Sequence, residues 1–338
     1  MRFFSKATVT KTALIKLTAM KIPILMYHYV RPKSKRLSES HNVLDLDLFD
    51  QQLDLMAKKF DFVLGNDLLA LCEDGAGLER KIWLTFDDGY RDCIDYVLPS
   101  LIAKKVSGTF YIPTEAIFER KLLDVNKIHI LLSSDITPKE IVKISGQYFS
   151  ELGLEEIVEI SFNDLFVKHG VANLWNDSET EFIKKLFQKL IPTAVRKKYL
   201  ATVFNQIVKR SESSWVDEFY LSPDDVQNLV ECGMEIGSHG HSHEWLAEMT
   251  KDGQRDELTK SFVYLDNAVK DGKSRSMCCP FGSYNEDTLN ILRSLDVQTA
   301  VLNRQQKYAR LEVGAADLLE LDRIDIMFFD KFMNGDFD

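Results

Sequence analysis

Seven short apolar-rich runs, separated by longer stretches with helical periodicity, restrict the fold of this 338-residue chain more than any other feature. They cover residues 22–28, 82–87, 108–113, 234–238, 275–281, 297–302 and 319–326. Short apolar-rich runs of this length fit strands of a parallel sheet flanked by helices. The alternation with helical segments is the pattern of βα units, so the expectation is an α/β fold on a seven-stranded parallel sheet.

The intervening helices carry their own signals. Leu46, Phe49, Leu53, Met56 and Phe60 recur at steps of three and four and predict one apolar helix face against the sheet. Ser222-Pro223-Asp224-Asp225 reads as an N-cap, a first-turn proline and a capping-box acid, opening a helix that stops at Gly233. Asn285 precedes another short helix over 286–295. Between about 119 and 215 the rhythm breaks, and the periodic segments 139–152, 179–190 and 195–209 are helical. That predicts a helical insertion, 119–215, after the third strand, with the sheet built from 21–118 and 216–338 and a basic segment, 1–20, in front.

Composition narrows the partners. A net charge of −10 gives no electrostatic support to nucleic-acid binding. Five cysteines without a C-x-x-C spacing predict reduced thiols and a cytoplasmic location. Lys11 and Lys16 interrupt the apolar stretch that an export signal would need. No apolar run approaches the ~18 residues of a transmembrane helix, which leaves peripheral contact through the basic N-terminus as the open membrane reading.

Two clusters carry the chemistry. The run Leu84-Thr85-Phe86-Asp87-Asp88-Gly89-Tyr90 ends an apolar strand in two carboxylates, at the strand end where parallel barrels place catalytic groups. Adjacent carboxylates repel unless a cation lies between them. The second cluster, Gly237-Ser238-His239-Gly240-His241-Ser242-His243, also follows a short strand, and its glycines predict a loop that turns His239 and His243 toward one point. With Asp88 they make two nitrogen ligands and one oxygen, which leaves coordination positions open, as in a catalytic rather than a structural metal site. A metal there would polarise an amide carbonyl and acidify its water, with Asp87 as general base.

The three motifs L-T-F-D-D-G-Y, G-S-H-x-x-S-H and C-P-F-G-S-Y-N, in that order, resemble the polysaccharide deacetylase family with its NodB-type domain, over roughly residues 20–118 and 216–326. The resemblance implies a distorted (β/α)7 barrel and removal of an N-acetyl, or N-formyl, group from an amino sugar in a polysaccharide, lipid-linked or nucleotide-linked glycan. It implies Asp87 as base and Asp88, His239 and His243 as ligands of one divalent metal, zinc foremost, with cobalt, nickel or iron as alternatives. It also implies the backbone N–H of Phe281 as an oxyanion donor, with Tyr90 and Tyr284 beside the substrate. Two positions depart from the commoner pattern: Cys278 stands where an arginine is usual, and no histidine follows His243 to serve as acid. The opening Met26-Tyr27-His28 resembles the circularly permuted branch that deacetylates biofilm exopolysaccharide, and there the acid is the equivalent of His28. Arg323 is the candidate to replace the missing arginine. Two other readings fit part of this pattern: the iron-binding facial triad of oxygenases, and a barrel that binds glycan without turning it over.

Overall fold

The computed structural model describes residues 20–35, 43–74, 78, 80–173, 176–269, 275–311 and 317–337. The basic N-terminal segment, apart from Met20, lies outside them. Seven parallel strands close into a ring: β1 (Ile24–Tyr27), β2 (Lys81–Phe86), β3 (Thr109–Ile112), β4 (Glu235–Ser238), β5 (Ser276–Cys278), β6 (Thr299–Gln306) and β7 (Leu318–Asp325). Each pairs with the next in sequence, and β7 returns to β1 through Ile324 against Leu25 and Asp325 against Met26. The fold is a (β/α)7 barrel, distorted by register shifts between β6 and β7. Every residue of β1, β3 and β4 is buried, as expected for strands covered on both faces, and the buried polar Glu235 and Thr109 bond each other.

Strand alternation determines what the barrel holds. Ile24, Trp83, Tyr111, Cys278, Val301 and Leu321, from six different strands, belong to one buried cluster, and only an interior position lets them share it. Side chains two or four places further along the same strands face the same way. That parity carries His28, Asp87 and Arg323 into the barrel mouth above an apolar floor. The antiparallel pair Met20–Ile22 and Ala309–Leu311 joins that floor, with Ile22, Ala309 and Leu311 in the same cluster.

Outside the ring, helices Leu46–Ala57, Pro223–Glu231, Lys251–Ala268 and Glu286–Ser294 cover the strands. The predicted face of the first holds for Phe49, Leu53 and Met56, which are buried. Phe60 lies beyond the helix, because the N–H groups of Lys59 and Phe60 both return to the Met56 carbonyl and end it; its ring stacks on Phe332 at 5.6 Å. Ser222 and Asp225 form the reciprocal capping box, and Gly233 follows the helix with φ 80°. The fifth strand is shorter than its apolar run. Pro280 has no N–H for a ladder, and Phe281 turns left-handed with φ 57°.

Between residues 119 and 215 the described residues form helices and no strand. Pro138–Glu151, Ser178–Lys185 and Thr193–Ile207 share a core with Phe149, Phe182, Phe187 and Tyr199 fully buried. Helix Asp124–Leu132 lies against the barrel, where Asn126 donates to the hydroxyls of Tyr90 at 3.0 Å and Tyr29 at 3.2 Å and accepts from Tyr220. Arg196 from the same helical region reaches Glu244 at 2.7 Å, and Lys189 sits 3.5 Å above the Trp245 ring. These helices are thereby tied to the residues that follow His243.

Candidate active site

Asp87 and Asp88 leave β2 in opposite directions. The N–H of Asp87 still bonds the Tyr27 carbonyl at 2.9 Å, so its side chain keeps the strand parity and points inward. Asp88 adopts φ 71° and Gly89 φ 60°, and this left-handed step swings the second carboxylate toward β4. A Cβ on Gly89 would lie 3.1 Å from Ile112 and 3.2 Å from Ile117, tight contacts added to a φ that other residues rarely adopt, so a larger residue would strain the turn. His243 and Phe281 are also left-handed, at φ 57° each. Strained backbone therefore gathers at this mouth, as it does at functional sites.

Asp87 is 2% exposed and is gripped by Arg323. The guanidinium gives one N–H to each carboxylate oxygen at 2.8 Å, and its remaining donors go to the Leu302 carbonyl at 3.1 Å, Thr85 Oγ1 at 3.0 Å and Cys278 Sγ at 3.1 Å. All five donors of the fork are used. Burial, the largest influence on the Asp87 carboxyl, pushes its pKa up, but Arg323, with His239 and His28, outweighs it and holds the group below its ordinary value. His28 Nε2 stands 3.8 Å from Asp87 Oδ2, with the imidazole 37% exposed at the rim.

Asp88 faces the two histidines. His239 Nε2 lies 3.2 Å and His243 Nε2 3.3 Å from the same oxygen, Oδ1. Burial would raise Asp88, yet the contacts with His239 and His243 drive it well below the usual carboxylate range. Nδ1 of His239 lies 2.9 Å from the Cys278 carbonyl, a group that only accepts, so Nδ1 donates there and Nε2 is the ring atom turned toward Asp88. Glu257 holds the loop by accepting from the N–H groups of His241 at 2.8 Å and Ser242 at 2.6 Å and from the Ser242 hydroxyl at 2.9 Å. His241 itself turns away, with Nδ1 2.9 Å from the Thr114 hydroxyl and its ring stacked on Tyr264.

Among the described residues, three groups bring ligand atoms within 4.8 Å of one another: Asp87, His239 and Cys278; Asp88, His239 and His243; and Glu115, Glu119 and His241. The first already holds a cation, since Arg323 bridges Asp87 and Cys278. In the third, Lys121 and Lys260 neutralise the glutamates at 2.6–2.9 Å. Only the second has no lysine or arginine paired with its carboxylate, and two imidazoles with one carboxylate suit a zinc-class ion.

A cavity of about 280 Å³ opens over this group, with Val125, His129, Lys184 and Gln188 of the helical region on its far wall. It adjoins a larger one of about 470 Å³, and His28, Asp88, His129 and Lys184 line both. The sequence motifs did not point to the far-wall residues, which sit in ordinary helical patterns.

A profile of the polysaccharide deacetylase family matches residues 74–143 and 166–300, well over half of the chain. The chain belongs to the polysaccharide deacetylase family. It is accordingly a hydrolase of the carbohydrate deacetylase kind, and the oxygenase reading of the ligand triad falls with that assignment. Among solved structures, the fold is similar to the Streptococcus pyogenes deacetylase PplD, determined with acetate, at TM-score 0.55 and 20% identity over 91% of this chain and 93% of that one. It is likewise similar to IcaB from Ammonifex degensii at TM-score 0.56 and 14% identity over 94% and 97%. The polysaccharide deacetylase BC0361 from Bacillus cereus gives 0.53 and 13% over 91% and 65%. No curated protein sequence matches this deacetylase.

The family match begins after His28, so β1 and its histidine enter the site through the closure of the barrel alone. Of the residues singled out in the sequence, His28, Asp87, Asp88, His239, His243, Phe281 and Arg323 come together around the inner cavity. Phe281 stacks on Trp245 at 4.2 Å and packs edge-on to His243 at 4.6 Å. Tyr90 lines the outer cavity, where its ring stacks on Tyr29 at 4.0 Å. Tyr284 is not brought to the site. It lies past the Pro280–Gly282 turn, where its hydroxyl donates to Glu320 at 2.6 Å.

Proposed function

We propose that the protein hydrolyses the N-acetyl amide of an amino sugar, with Asp87 as general base, His28 as general acid, and Asp88, His239 and His243 as the ligands of one divalent metal. The observation that carries this reading is the division of labour between the adjacent carboxylates: one faces two imidazole Nε2 atoms and the other a guanidinium. A bound metal supplies a Lewis acid for the amide carbonyl and lowers the pKa of water at the site. Zinc fits the donor set first, and cobalt, nickel and iron accept the same ligands.

Asp87 stays ionised at neutral pH through Arg323 and takes the proton of the attacking water. Phe281 lines the cavity in a left-handed turn, and its backbone N–H would steady the oxyanion. His28, half open to solvent on the other side of Asp87, gives a proton to the leaving nitrogen. The helices over the mouth bound the cleft, which favours a short or linked amino sugar over the middle of a long polymer.

The first test is chemical. Acetate release from N-acetylglucosamine derivatives should vanish after the metal is removed with a chelator and return on adding zinc, because no other described cluster has vacant ligands. Full turnover by metal-free protein would sink the reading, and release of formate in place of acetate would change the acyl group. A second expectation concerns His28. General acids contribute about 10²–10⁴-fold, so His28→Ala should slow hydrolysis of substrates with a poorly leaving amine by that order while sparing those with an activated leaving group. An equal loss on both would remove His28 from the proton-donor role.

A further inference from the structure

We infer that the substrate carries an anionic group, a phosphate ester or a carboxylate, next to its N-acetylated sugar, and that Lys184 binds it. The inference rests on the deacetylase reading above. If His28 protonates the departing nitrogen, the sugar ring lies beside His28, which lines both cavities, and the outer one of about 470 Å³ offers the larger space for it. Lys184 is the one lysine or arginine among the described residues lining that cavity, and it also reaches the inner one. Arg323, the other cation of the inner cavity, is fully committed to Asp87 and its neighbours.

The setting of Lys184 differs from that of the residue beside it. Lys185 pairs with Glu181 at 3.1 Å on the helix surface. Lys184 is half-buried and donates to the neutral Asn176 Oδ1 at 3.0 Å, and among the described residues no carboxylate lies within 4 Å of its ammonium. Asn176 is held by its own amide bond to Glu181 at 3.2 Å, which keeps its oxygen toward Lys184 and the ammonium at the cavity wall. The two carboxylates lining the same cavity have other partners: Asp88 faces the histidines, and Asp325 accepts from the Met327 N–H at 2.9 Å. In a chain with ten more acidic than basic residues, this cavity-lining cation meets Glu181 only through Asn176 and makes no direct ion pair among the described residues. Burial lowers the Lys184 pKa despite the partial opposition of the Glu181 charge, and an anionic ligand at the ammonium would reverse that shift.

The experiment compares three probes with the metal-loaded protein: methyl N-acetylglucosaminide, N-acetylglucosamine 1-phosphate and N-acetylmuramic acid. They are neutral, phosphorylated and carboxylated in turn. At least one anionic probe should be favoured over the neutral one in kcat/KM. Lys184→Met should lower that ratio by about 10–100-fold, as expected for one charge-assisted hydrogen bond, and Lys184→Arg should keep most of it. Which anionic probe is favoured separates phosphate from carboxylate. A wild-type preference for the neutral probe, or a ratio unchanged in Lys184→Met, would overturn the anion subsite while leaving the deacetylase reading intact. No acetate from any probe would overturn that reading, and the subsite with it.

Discussion

Asp87→Asn should cost about 10²–10⁴-fold in kcat, the range for removing a positioned general base, while the purified variant keeps its metal. The three proposed ligands do not depend on Asp87: His239 is oriented by the Cys278 carbonyl, and the loop to His243 is pinned by Glu257. The amide keeps the shape of the carboxylate but cannot take a proton near neutral pH. Metal content measured on the same preparation as the rate makes the result decisive. Turnover within tenfold of wild type would show that another group accepts the proton. Loss of metal together with activity would show that the two carboxylates do not divide the work as argued.

Arg323→Met should have the largest effect on stability. Both partners of the pair are about 2% exposed, so deleting the guanidinium strands a buried carboxylate, which typically costs about 3–5 kcal/mol. A urea midpoint should fall accordingly, and the double variant Arg323→Met with Asp87→Leu should recover part of the loss, because the stranded charge is gone. The pH dependence follows from the same pair. In the wild type Arg323 holds the Asp87 pKa below its ordinary value, so the stabilisation is present above the unfolded pKa and lost as pH falls through the folded one. Without Arg323, burial acts with far less opposition, and the acidic limb of kcat/KM should move to higher pH. An unmoved limb with unchanged stability would mean that the contact is incidental. Arg323→Lys, which keeps the charge but not the two-pronged geometry, should fall between the two.

The barrel was legible because doubly covered strands write themselves as apolar runs. The Lys81–Phe86 and Thr109–Ile112 strands lie within a residue of their predicted limits. Asp61–Val63 and Val43–Asp45 left no such trace, since three residues are too few to show a period. Helix Lys251–Ala268, the longest described, also went unseen. Its buried face includes Gln254, Glu257 and Ser261, polar groups that serve the histidine loop and the next helix and so blur the apolar stripe. At the site, clustered histidines and paired aspartates announced themselves by composition. Arg323 is an isolated arginine on a strand, and its proximity to Asp87 comes from strand parity and barrel closure. Tyr284 shows the opposite case, a motif residue that the 3-residue turn before it directs to Glu320. Lys184 had no signal at all, because a lysine in a helix looks the same whether it faces solvent or a cavity.

Ring closure also sets an order of events during synthesis. β1 lies between β2 and β7, so the strand bearing His28 has one open edge until the last of the seven strands has left the ribosome. Arg323 arrives on that same last strand. Before then, Asp87 lacks its Arg323 clamp, and the loop over 239–243 hangs from an unclosed sheet. A nascent chain therefore cannot hydrolyse anything, and its exposed edges invite pairing with other chains. The long-range pairing of β1 with β7 makes folding slow relative to a helical protein, and it delays hydrolytic competence until the ring has closed.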